Sequence, residues 1–250
     1  MLQLLSLTPV EWLYAAISAL CIGMAKSGIS GISYVAILLM ALVIPPREST
    51  GVILPMLIAA DFLACGVFRQ HVQWRHVWRL LPATVVGVVL GFFAMRTIPS
   101  GEYRHTIGWI IFGMAILQGL KMRFREFPVE ALHRWPFAIG MGMTTGVTTM
   151  MANAAGPVAA LYMMVVDLPK MQLIATSAFL FLITNLIKVP FSASQGLITW
   201  ESLQFNLVLV PLVAVGVYGG RWIIHRISQR TFEICVLVFS IVAALRLIWA

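Results

Sequence analysis

Lys26 stands in a short polar stretch, Ala25-Lys26-Ser27-Gly28-Ile29-Ser30-Gly31-Ile32-Ser33, set between two apolar runs. A second stretch, Thr148-Thr149-Met150-Met151-Ala152-Asn153-Ala154-Ala155-Gly156-Pro157, separates two others. An ammonium, hydroxyls and an amide are the donors a small anion requires, and glycines let it approach the main chain closely. Helices resuming near Ser33 and near Gly156 would add unpaired N–H groups and the positive end of the helix dipole. The candidate substrate-binding residues are therefore Lys26, Ser27, Gly28, Ser30, Gly31 and Ser33 from the first stretch, and Thr148, Thr149, Asn153 and Gly156 from the second. Asp61 and Asn185, polar residues inside apolar runs, are candidates for lining the cavity or coupling an ion.

Each assignment has a plainer alternative. The small residues could serve only close helix packing, although two related interruptions favour a site. Lys26 could contact an anion or balance Asp61; reaching an interface fits its position less well, and an unpaired ammonium in a bilayer is costly. Asp61 could relay a proton or form a structural ion pair. Asn185 could line the cavity or make a helix-to-helix hydrogen bond. Catalytic chemistry has no such footing. His71, His76, His105, His133 and His225 are scattered, and Cys21, Cys65 and Cys235 lie in apolar runs without ligand spacing. No nucleophile–base pair, metal centre or cofactor is expected, and the chain reads as a non-enzyme.

The elements that carry these residues must cross a membrane. Of 250 residues, 60% are hydrophobic and 10% charged, against about a quarter charged in soluble chains, so a polar coat is not available. The runs Thr50–Phe68, Val77–Met95, Gly108–Leu120, Leu173–Ile187, Leu203–Tyr218 and Phe232–Leu245 fit spanning helices, which need roughly 17–25 residues. The net charge of +8 resides mostly in short connections, where it sets orientation and does not suggest nucleic-acid binding. No cleavable signal is expected, because the first basic residue, Lys26, follows the apolar run Leu13–Met24. The tryptophans, mostly near segment ends, read as interfacial anchors.

The chain also carries a weak internal repeat. Ile44-Pro45-Pro46-Arg47 is matched by Asp167-Leu168-Pro169-Lys170, and Pro82…Gly87…Gly91 by Pro211…Gly216…Gly220. Thr184-Asn185 falls at the place of Asp61-Phe62. Leu13–Met24 and Tyr34–Ile44 flank the first interruption, Phe137–Val147 and Val158–Val166 the second. At about nine to twelve residues, such pieces are too short to cross a core of roughly 30 Å singly. The expected architecture is an all-α integral membrane protein of two inverted pseudo-repeats, each a re-entrant or broken half-helix hairpin plus three transmembrane helices. Residues 1–120 form the first repeat, 121–135 a basic cytoplasmic connection and 136–250 the second.

On that plan one face holds Arg69, Arg75, Arg79, Lys121, Arg123, Arg125, Arg134, Lys170, Arg221, Arg226 and Arg230. The other holds Arg47, Arg96, Arg104, Lys188 and Arg246. Eleven against five makes the first face cytoplasmic and puts both termini in the periplasm. Kinked helices that each cross once would give parallel halves and divide the charges seven against nine, without the asymmetry.

Gly23-Met24-Ala25-Lys26-Ser27-Gly28-Ile29-Ser30-Gly31, Pro45-Pro46-Arg47, Asp61 and Asn153-Ala154-Ala155-Gly156-Pro157 followed by Val158-Ala159-Ala160-Leu161-Tyr162 together resemble the sulfite exporter TauE/SafE family over nearly the whole chain. Ser30, Ser33 and Ala154-Ala155 depart from that family's glycine-richer pattern. The resemblance implies a bacterial inner-membrane protein that exports sulfite, a sulfonate or a related sulfur-containing anion. The expected function is a secondary transporter with a central site between two half-helix hairpins. Its partners are the anion and the lipid bilayer, a homo-oligomer being compatible with the sequence. Import or channelling of another small anion, or a non-transport intramembrane enzyme, are the alternatives.

Overall fold

A computed structural model of the chain describes residues 7–28, 32–123, 135–166 and 168–223, with single positions between 234 and 249. The third spanning helix expected in the second half, Cys235 and most of the 121–135 connection lie outside the described residues.

Every regular element among the described residues is helical. They are α1 (Pro9–Lys26), α2 (Ile32–Val43), α3 (Pro46–Phe68) with a short 3₁₀ turn at Arg69–His71, α4 (Trp74–Thr97), α5 (Ser100–Arg123), α6 (Trp135–Ala152), α7 (Gly156–Val165), α8 (Lys170–Ser194) and α9 (Trp200–Ile223). Four are long and apolar enough to cross a membrane, namely Pro46–His71, Trp74–Thr97, Lys170–Ser194 and Trp200–Trp222. Their outward faces carry large exposed apolar side chains such as Trp78, Phe93, Leu207 and Val215. An apolar exterior of this kind is matched by lipid tails, not by water.

Local sequence explains where the helices start. Thr8 caps α1, with its main-chain N–H and its hydroxyl both donating to Glu11 at 2.8 and 2.7 Å, while Pro9 takes the first helical position, where a missing N–H is harmless. Pro46 opens α3 in the same way. Pro55, Pro82, Pro190 and Pro211 sit inside α3, α4, α8 and α9 without ending them. Each removes a helical donor, and neighbouring side chains can re-satisfy the freed groups. Near Pro55, side-chain amides from two other helices donate to α3 carbonyls: Asn153 to Thr50 and Asn206 to Val52, both at 2.9 Å.

The two interruptions are present, but the pieces beside them are unequal. Helix α1 continues through Ala25 and Lys26, and α6 continues through Thr148–Ala152, so each has 18 residues, or roughly 27 Å at 1.5 Å per residue. That is nearly a full crossing. Only α2 and α7, with 12 and 10 residues, are half-length. The threonines that read as a break are helical because Thr144, Thr145 and Thr148 turn their hydroxyls onto carbonyls one turn back, at 2.7–2.8 Å. This back-bonding keeps a polar side chain satisfied within the helix.

Packing pairs the elements across the two halves of the sequence. Helix α4 lies along α6, α1 along α9, and α3 along α8 near the centre. Gly87 and Gly146 set the first crossing: a Cβ on Gly146 would strike the Thr84 carbonyl, and one on Gly87 the Met143 carbonyl. Gly23 and Gly216 set the second, against the carbonyls of Val213 and Leu20. Backbones can approach this closely only where neither residue has a side chain. Within the first half, the Ser18 hydroxyl donates to the Ala36 carbonyl at 2.9 Å and ties α1 to α2.

Candidate functional site

The two breaks meet at one cavity of about 90 Å³. Since a single water needs at least about 10–15 Å³, the space holds several waters or one small oxyanion. Lys26, Gly28 and Ser33 line it from the first interruption, Thr149, Asn153 and Gly156 from the second, and Asn185 from α8. Ile22, Leu57, Ile174 and Phe181 close it with apolar surface. The Cβ position of Gly156 faces open space, leaving the start of α7 accessible at the cavity wall. At the ends of α1 and α6 the chain turns through left-handed backbone, at Gly28 with φ 97° and at Asn153 with φ 52°. Glycine and asparagine are the residues that enter this region most readily.

A continuous polar chain runs beside the cavity. The Lys26 ammonium lies 2.7 Å from Oδ1 of Asp61 and 4.8 Å from the centroid of the Phe181 ring. Nδ2 of Asn185 donates to Oδ2 of Asp61 at 2.7 Å. Nζ of Lys188 donates to Oδ1 of Asn153 at 2.6 Å, to the Thr149 carbonyl at 2.7 Å and to Oδ1 of Asn185 at 3.4 Å. Nδ2 of Asn153 donates onward to the Thr50 carbonyl. Both amides thus turn oxygen to the ammonium and nitrogen to an acceptor, and the chain joins α1, α3, α8 and α6. Asp61 has no exposed surface and Lys188 only 1%, while the Lys26 side chain keeps 12%.

Three placements differ from the sequence reading. Lys188, counted there among the charges of a membrane face, is buried inside the bundle, and without it the count is eleven against four. Its place could have been suspected from Asn185: residues three apart share a helix face, and the apolar run resumes after Lys188 with Val189-Pro190-Phe191. Ser27 is buried but turned away from the cavity, donating to the Val217 carbonyl of α9. Thr148 is satisfied within α6 and does not line the cavity. Ser30 and Gly31 lie outside the described residues. Lys26 pairs with Asp61, and Asn185 both lines the cavity and joins two helices, so for Asn185 the two alternatives coincide.

Chemically, the cavity is surrounded by two buried cations and one buried anion. Asp61 offsets one ammonium, which leaves an excess of one positive charge in a water-poor interior. The starts of α2 and α7, at Ile32 and Gly156, add the partial positive charge of helix N-termini. At the other side of the break, Lys188 and the Tyr103 hydroxyl, which donates to the Met151 carbonyl at 2.6 Å, satisfy carbonyls that the end of α6 leaves unpaired.

The family model for the sulfite exporter TauE/SafE matches residues 15–247. A protein from Comamonas testosteroni, described as a probable inner membrane transporter protein TsaS, is 23% identical over 206 residues, spanning 79% of this chain and 81% of its own length. No solved structure matches significantly.

Proposed function

The chain belongs to the sulfite exporter TauE/SafE family, and from that premise we propose that this membrane transport protein is a secondary transporter exporting a small sulfur-containing anion, sulfite or an organosulfonate, across the bacterial inner membrane. The observation that carries the reading is the excess positive charge around the cavity: Lys26 and Lys188 face a single carboxylate, Asp61. An unbalanced charge in a low-dielectric interior is costly, and a bound anion removes the imbalance. The helix starts at Ile32 and Gly156 and the hydroxyls of Ser33 and Thr149 supply donors at the same place. The inside-negative potential drives an anion outward by about 2.3 kcal/mol per charge per 100 mV, so export needs no strong ion coupling.

In this reading residues 1–120 and 136–250 are inverted repeats about the 121–135 connection, with both termini periplasmic. Support comes from the exchanged pairing, in which each interrupted helix packs on an unbroken helix of the other half: α1 on α9, α6 on α4. The glycines at these crossings, Gly87 and Gly216, hold matching places in the two halves of the sequence. Alternating access then rocks two bodies past each other around the cavity, each body built from both halves.

Counterflow of radiolabelled sulfite in liposomes carrying the purified protein, with organosulfonates and sulfate as competitors, tests the assignment. Wild-type flux that Lys26→Ala and Asn153→Ala abolish, while both variants still insert, is the expected result. Absence of flux for every sulfur anion offered removes the substrate assignment.

A further inference from the structure

We infer that Lys188, which does not itself line the cavity, sets the charge of the anion that the cavity accepts, and that this charge is one. The inference rests on the anion-transport reading above and adds to it a valence and the residue that determines it.

The argument begins with the surroundings of Nζ. Oδ1 of Asn153, the Thr149 carbonyl, Oδ1 of Asn185 and, at 3.3 Å, the Thr149 hydroxyl are all within reach. Three of these four are acceptors only, and the amides are held with oxygen inward because their nitrogens donate elsewhere, to the Thr50 carbonyl and to Asp61. A shell of acceptors suits an ammonium, which has three protons and no lone pair. The side chains that form this shell, Thr149, Asn153 and Asn185, also line the cavity. Lys188 therefore stands one side chain behind the wall and acts on a ligand through its field.

The charges facing Lys188 are Asp61 from α3 and, beyond it, Lys26 from α1; α6 carries no ionisable side chain. With both lysines protonated and Asp61 ionised the group has a charge of plus one. A singly charged anion brings the interior to neutrality. A doubly charged anion overshoots, and a neutral solute leaves the excess in place. If Lys188 were only a cap for the end of α6, its charge would be immaterial to which ligand binds.

The test uses the full chain purified in detergent, with methanesulfonate and sulfate as probes. Both present sulfonyl oxygens, and they differ by one unit of charge. Calorimetric titration at pH 7 should show wild type preferring methanesulfonate over sulfate by at least about tenfold, the scale of one charge acting across a side chain's width in a protein interior. Lys188→Gln should lose methanesulfonate affinity by a similar factor. Asp61→Asn should reverse the preference towards sulfate. Asp61→Asn combined with Lys188→Gln restores plus one and should restore the wild-type order, and Lys188→Arg should keep it. If Lys188→Gln alone fails to fold, the comparison of Asp61→Asn with the double variant carries the test. Anion binding whose valence preference is the same in wild type, Asp61→Asn and the double variant overturns this inference and leaves the transport reading standing. No binding of any sulfur anion by wild type overturns both.

Discussion

The side-chain amide of Asn185 on α8 donates to the Asp61 carboxylate on α3 at 2.7 Å and turns its oxygen towards Lys188. One neutral residue thus holds an anion on one side and a cation on the other. Asn185→Leu removes both contacts and leaves two buried charges short of a partner. We expect a loss of about 1–3 kcal/mol in stability against denaturant in detergent, together with loss of flux. Asn185→Gln should recover part of the stability.

The Lys26–Asp61 pair calls for a double-mutant cycle. Replacing Lys26 alone by Met isolates a buried carboxylate, a change that costs about 3–5 kcal/mol when the charge cannot escape. Replacing both, Lys26→Met with Asp61→Leu, should recover most of that stability, since apolar residues of similar size often substitute well for a buried pair. Flux should remain absent in the double variant. Thermal unfolding read alongside sulfite counterflow separates the two effects, and recovery of flux with stability would remove Lys26 from the binding role.

Asn153 combines a backbone role with a side-chain role. Its left-handed conformation, φ 52°, is open to glycine, so Asn153→Gly should fold with a melting temperature near that of wild type or a few degrees below it. It should nevertheless fail to transport, because the oxygen that receives Lys188 is gone. Asn153→Val adds backbone strain and should lower expression as well. Equal loss of folded protein for Gly and Val would place the requirement in the side-chain contacts and not in the backbone.

The helix crossings predict a contrast among glycines. Gly146→Leu and Gly216→Leu drive a side chain into the main chain of α4 and α1 respectively, and should leave no monodisperse peak on size exclusion in detergent. Gly113→Ala in α5 meets nothing within 4 Å. It should be neutral or stabilise by up to about 1 kcal/mol through helix propensity.

Much of this was legible in one dimension, and the exceptions have physical causes. Asp61 and Asn185 stood out as polar residues within apolar runs, and the matching prolines suggested that they lie near each other. Lys188 did not stand out, because it sits where an apolar run pauses, and a lysine there is ordinarily a boundary charge. The cost of burying it is met by the acceptors of Thr149, Asn153 and Asn185, which come from two different helices and leave no local signal. The end of α6 was misplaced because threonine lowers helix propensity on average, whereas here each hydroxyl finds a carbonyl one turn back. Ser27 and Thr148 could not be separated from Ser33 and Thr149 without knowing which side of each helix faces the cavity.

The crossing of α1 on α9 has a consequence for how the protein is made. The Ser27 hydroxyl and the Val217 carbonyl that receives it are 190 positions apart in sequence. At a synthesis rate of about 5–20 residues per second the first interrupted helix waits roughly 10–40 s for its partner. During that interval its closest available neighbours are α2, fastened through Ser18, and α3, whose Asp61 can neutralise Lys26 almost as soon as it emerges. The ion pair is therefore suited to act first as a chaperone internal to the chain, holding a charged and broken helix in the bilayer until the last helices arrive.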